Sequence, residues 1–115
     1  MDVRGLEEWD LLNERQQEQA EDLAELSLKF GKFDTSTGAD GAHYARGADN
    51  PFKASGLMCS NCVFYDELNS GCQIVTGLIE SEAVCKLWII PQITIDVAES
   101  RSRLEAKKAV LKSLI

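Results

Sequence analysis

All four cysteines of this 115-residue chain fall within the 27 residues from Cys59 to Cys85, in the pattern Cys59-x2-Cys62-x9-Cys72-x12-Cys85. Free cysteine packs as a small apolar side chain, so four unconnected core thiols are one reading, but such tight clustering is a poor match to it. Two disulfides would suit a small exported scaffold. The first ten residues, however, carry acids where a leader needs bases and an apolar stretch, which points to a cytoplasm where thiols stay reduced. A structural zinc usually takes two tight Cys-x2-Cys hooks. Here only the first pair is tight, although one hook and two separate ligands can still close a tetrahedron. A [4Fe-4S] cube is wider than one ion and accepts one thiolate at each iron from separated points of the chain. One hook followed by two lone cysteines fits that shape, and zinc is the lesser alternative.

The neighbours of the cysteines are apolar: Leu57, Met58, Val63, Phe64, Tyr65, Ile74, Val75, Leu78, Ile79, Val84, Leu87, Trp88, Ile89 and Ile90. Such residues keep water off a cluster and so favour one oxidation state over the other. The single histidine, His43, cannot supply a His-rich metal site or a set of separate catalytic histidines, and it reads as a packed or exposed ring. Glu80 and Glu82 could form an acid–base pair, but no basic, histidine or nucleophile partner lies near them in sequence. Asn69-Ser70-Gly71 reads as a turn before Cys72. No phosphate-loop, dinucleotide or nucleophile-elbow pattern is present, so an enzyme with its own substrate is not expected.

Charge is distributed unevenly. Residues 1–30 carry nine acids and three bases, residues 31–95 seven and four, and residues 96–115 three and five, for a formal net charge of −7. That balance opposes binding along a phosphate backbone, and no apolar run approaches the roughly 20 residues that span a bilayer. From Leu6 to Phe30 there is no Pro or Gly, and the spacing of Leu6, Trp9, Leu12, Ala20, Leu23 and Ala24 predicts one long acidic helix with a polar middle at Asn13 to Gln19. That middle should bury little, so the helix should stay partly exposed. Residues 31–56 hold five of the eight glycines and should be a loop that wraps around something or stays disordered. Pro91 stops what precedes it. In the C-terminal segment, residues 92–115, an amphipathic helix is expected from Val97 to Ile115. Val97, Leu104 and Leu111 stand seven apart, with Ala109, Val110, Leu114 and Ile115 widening the stripe and Arg101, Arg103, Lys107, Lys108 and Lys112 on the other faces. The acidic first helix is its natural electrostatic partner, within one chain or between copies.

Cys72-x6-Ile79-x3-Ala83-Val84-Cys85-x2-Trp88 resembles the signature of high-potential iron-sulfur proteins. The Cys59-x2-Cys62 hook followed by Phe64-Tyr65, and His43-Tyr44-Ala45-Arg46-Gly47-Ala48-Asp49 upstream, are similar to that family too. The resemblance covers about residues 43–91 and neither terminal helix. It implies a [4Fe-4S] cofactor on Cys59, Cys62, Cys72 and Cys85, with Tyr44, Phe64 and Trp88 as an aromatic wall. The family has glycine and then a large aromatic where this chain has Ala83-Val84, which implies a smaller shield there. More loosely, the stretch from Asp40 to Pro91 resembles small cluster-binding segments encoded among the virion genes of tailed bacteriophages. The expectation is therefore a small α plus irregular fold. An acidic helix at 1–30 and the C-terminal helix would flank a loop-rich four-cysteine module at 31–91. The cluster would staple that module, and the helices would attach it to other protein subunits of a virion assembled in the host cytoplasm, with no nucleic acid, membrane or small-molecule partner. A soluble one-electron carrier and a zinc-stabilised adapter are the alternatives.

Overall fold

The structure, a computed structural model, describes residues 3–113. Two helices flank a loop-rich middle that contains one two-stranded sheet. The first helix does not run from Leu6. Short 3₁₀ turns at Val3–Gly5 and Trp9–Leu11 precede α1, Glu14–Phe30. The polar stretch expected in the middle of one long helix in fact starts the helix. The Asn13 side chain accepts from the Gln16 backbone N–H at 2.8 Å, and the Gln16 side chain accepts from the Asn13 N–H at 3.2 Å, which closes a capping box. Gln16 is also buried, contrary to the expectation for that polar stretch. Its amide donates to the Ile90 carbonyl at 2.7 Å and its oxygen accepts from Gln92 N–H at 3.1 Å. One side chain thus caps α1 and ties it to the start of the next helix, α2, Gln92–Ser113.

α2 begins five residues earlier than Val97 because Pro91 opens it rather than merely ending what comes before. The Pro91 carbonyl accepts from Thr94 and Ile95, and proline at a helix start forfeits no hydrogen bond. Only Ala98 is buried along α2. Residues 99–113 are all exposed, and a helix of this length, about 33 Å, accounts for much of the elongated 59 × 29 × 28 Å envelope. Leu114 and Ile115, placed on its stripe by the sequence pattern, lie outside the described residues. Among the described residues no helix is long and apolar enough to cross a membrane.

The glycine-rich loop is ordered because it wraps the cysteine module. Phe33 bridges Val75, with Phe33 N–H donating to Ile74 at 2.8 Å and Thr76 N–H to Phe33 at 2.9 Å. Ala45 and Val84 exchange hydrogen bonds at 2.8 and 2.9 Å. Asn50 is buried, and its amide donates to the carbonyls of Leu57 at 3.0 Å and Glu82 at 2.9 Å, stitching loop to module. Gly47 lies so close to the Glu82 segment that a Cβ there would stand 2.9 Å from Glu82 Cβ. β1, Tyr65–Asp66, pairs antiparallel with β2, Gly71–Cys72, with Tyr65 opposite Cys72. The connection closes at Asn69-Ser70-Gly71, where the Asp66 carboxylate accepts from both the Asn69 backbone and its side-chain amide and Ser70 takes a left-handed φ of 49°. The core is centred on Phe64, Ile74, Val75 and Ile90, and α1 adds Ala20 and Ala24 to it.

Candidate metal centre

Three segments of different local structure deliver the four cysteines to one place. Cys59 opens a 3₁₀ turn, Cys59–Asn61, and Cys62 closes it by donating its N–H to the Cys59 carbonyl at 2.9 Å. The turn is fixed from outside, because Cys59 N–H donates to Ala83 at 2.7 Å and Ser60 N–H to Ser81 at 3.0 Å. Cys72 ends β2, and Cys85 follows the Ala45–Val84 bridge. The four sulfurs line one pocket with Tyr44, Tyr65, Val75, Ile79 and Trp88. All four thiols are free, so the two-disulfide arrangement is not formed.

Backbone amides converge on the sulfurs. Ile89 N–H donates to Cys62 Sγ at 3.3 Å, with Phe64 N–H as a second donor. Ile74 N–H approaches Cys72 Sγ at 3.5 Å, joined by the amides of Val75 and Gln73. Leu87 and Trp88 supply amides to Cys85. Ile74 and Ile89, whose amides are among these donors, bury their side chains in the core beside the pocket. Amide dipoles stabilise a thiolate, whereas burial opposes it. Burial wins with only protein in the pocket. It pushes Cys59 up to about 12, assisted by the neighbouring Cys85 and Cys72, and pushes Cys62 far above the ordinary thiol value despite its two amides. Cys72 and Cys85 are raised by burial as well, with their amides, and Lys32 beside Cys72, acting against it. A positive charge in the pocket would act against this burial and favour the thiolates.

Among the described residues, no three His, Cys, Asp or Glu side chains gather closely enough to hold a single metal ion. The sulfurs nevertheless share one pocket and act on one another electrostatically.

Two of the three expected wall aromatics, Tyr44 and Trp88, line the pocket. Phe64 does not. Its ring is fully buried in the core behind the site, and only its backbone reaches Cys62. Strand alternation explains the exchange, since adjacent residues face opposite sides. Tyr65 takes the place at the wall, with its hydroxyl donating to the Ile79 carbonyl at 3.2 Å, while Tyr44 Oη accepts from Glu80 N–H at 3.1 Å. Val75 and Ile79 complete the wall. Both stood among the apolar neighbours, but nothing in their spacing marked them as facing the sulfurs. The Ala83-Val84 step is no gap in this wall, because both residues are buried outside the lining and their backbone holds Cys59 and Ala45.

The remaining candidates have structural roles. The Glu80 carboxylate accepts from Gly47 N–H at 2.9 Å, and Glu82 pairs with Lys53 at 2.8 Å. His43 is exposed, with a left-handed φ of 53°, and its Nε2 lies 3.0 Å from the Gly38 carbonyl oxygen. No family model, curated protein or solved structure matches this chain.

Proposed function

We propose that Cys59, Cys62, Cys72 and Cys85 hold a [4Fe-4S] cluster that staples the loop-rich module, and that the chain serves as a structural component of a larger assembly. The observation that carries this reading is the convergence of four thiols and their amide donors on one pocket with an apolar and aromatic wall. When bound, such a cluster supplies four iron–thiolate bonds and a one-electron couple. The chain's own contribution is to release four thiol protons, direct amides at the sulfurs, and exclude water with Tyr44, Tyr65, Trp88, Val75 and Ile79. Metal–thiolate bonding contributes on the order of 10 kcal/mol of apparent folding free energy in small modules, which a loop-rich core of this size needs.

The assembly role is supported by the exposed distal half of α2, for which electron transfer gives no rationale. The resemblance to phage cluster-binding segments points to a tailed-phage particle as the assembly. A freestanding one-electron carrier is the second reading, favoured by the partial exposure of Tyr44, Tyr65 and Trp88 at the pocket. Two measurements separate them. A structural component is found at fixed copy number in purified particles and loses its near-UV circular dichroism when Cys72→Ala removes one ligand. A carrier is absent from particles and is reduced reversibly as a free protein. Full retention of the near-UV signal in the Cys72→Ala chain refutes the staple.

A further inference from the structure

One of the amides on the sulfurs is tied to a helix that carries no cysteine. Ile89 N–H donates to Cys62 Sγ at 3.3 Å, and the carbonyl of the same residue accepts from Val63 N–H at 2.9 Å. The next carbonyl, that of Ile90, accepts from the Gln16 amide at 2.7 Å, and past Pro91 the Gln92 N–H donates to the Gln16 oxygen at 3.1 Å. Gln16 therefore grips the chain on both sides of Pro91, whose ring fixes its own φ and restricts Ile90 before it. A stretch stiffened in this way passes a constraint at Ile90 back to Ile89. Gln16, Cys62, Ile89, Ile90 and Pro91 are all buried, so water does not stand in for a lost partner without entering the core.

The seat of Gln16 is fixed from its own side as well. It closes the capping box with Asn13, and it begins the buried row Gln16, Ala20 and Ala24, spaced four apart along one face of α1. The two alanines let the helix lie close to the core, and Gln16 is the polar member of the row, set against residues 90–92. On the reading that the four cysteines hold a cluster, we propose that Gln16 is a positioning residue of the metal centre: by holding Ile90 and Gln92 it keeps Ile89 N–H on Cys62 Sγ. An amide aimed at a ligating sulfur stabilises the more negative state of an iron–sulfur cluster, so weakening that bond lowers the reduction potential.

Gln16→Leu and the parent, both as loaded full chains, are compared by hydrogen exchange and by midpoint potential, with iron and sulfide assayed on the same samples. Exchange at Ile89 is taken as a ratio to exchange at Ile74, whose amide serves Cys72, so that a change in global stability cancels. In Gln16→Leu that ratio should rise roughly tenfold, about the net worth of one hydrogen bond, and the potential should fall. Ala24→Gly weakens α1 on the same face without touching Gln16, and it should leave both ratio and potential at the parent value. If Gln16→Leu does not fold, Gln16→Glu is read by exchange alone, since its oxygen still serves Gln92 and the cap while the donor to Ile90 is gone. A parent-like ratio in the Gln16 variant, or an equal shift in Ala24→Gly, overturns the proposal while the cluster stands. A parent chain without iron and sulfide overturns it together with the reading beneath it.

Discussion

The cysteine module and the distal half of α2 are ordered by opposite means. The module has almost no regular structure, yet apolar residues such as Phe64, Ile74, Val75 and Ile90 are buried, its loops are pinned by single hydrogen bonds such as those of Asn50, and its four cysteines line one pocket. The distal half of α2 is fully regular and buries nothing. Regularity and burial are thus separable in this chain. On the proposed reading, the module depends on what the pocket holds, whereas nothing among the described residues covers the helix.

The difference can be broken most severely at the sulfurs. Cys62→Ala removes a buried thiol of the proposed ligand set, and in the metal-loaded protein the thermal transition of the module should disappear, a loss on the order of 10 kcal/mol. Helical signal from α2 should change much less, as far-UV circular dichroism would register. If module and helix melted together in this variant and in the parent, the two regions would not be independent.

The joint between the regions comes next. Gln16→Leu removes a buried side chain that serves the Ile90 carbonyl, the Gln92 amide and the α1 cap at once. It should lower stability by about 2–3 kcal/mol in denaturant titrations, since buried partners are left unsatisfied. Asn50→Ala acts inside the module alone and should cost about 1–3 kcal/mol by the same reasoning, with α2 unaffected.

Little of this joint was legible in the sequence. The hook, the two lone cysteines and the aliphatic residues around them stand in plain order along the chain, so the cysteines that share the pocket and the apolar character of its wall could be read directly. The polar run from Asn13 to Gln19 could not be read as a cap and a clamp, because its partners Ile90 and Gln92 lie more than seventy residues away. Phe64 and Tyr65 are equally aromatic neighbours. Which of them faces the sulfurs is decided by the register of a two-residue strand, and that register is set by its pairing with Cys72. Periodicity located an apolar stripe on α2 but could not say that the protein leaves it uncovered.

A smaller effect sharpens the picture at the N-terminal edge of the module. Burial, then the neighbouring Glu7, raises the Glu8 carboxyl above its ordinary value, and one Glu8 oxygen is buried without a hydrogen-bond partner. A raised folded-state value favours the fold only below the ordinary carboxylate range and costs stability as pH rises past it. Glu8→Gln should therefore stabilise the protein at neutral pH by less than about 1 kcal/mol, because the group is only partly buried, and the gain should vanish in melts below about pH 4. Smallest of all, ending the chain after Ser100 should leave module stability within about 0.5 kcal/mol of the parent, since the removed residues are exposed.

The central claim is tested most directly by quantifying iron, acid-labile sulfide and zinc in the anaerobically purified chain. About four irons and four sulfides per chain are expected, with negligible zinc and with binding lost in each single cysteine variant. One zinc per chain without sulfide, or metal-free protein whose cysteines are joined in pairs, contradicts it.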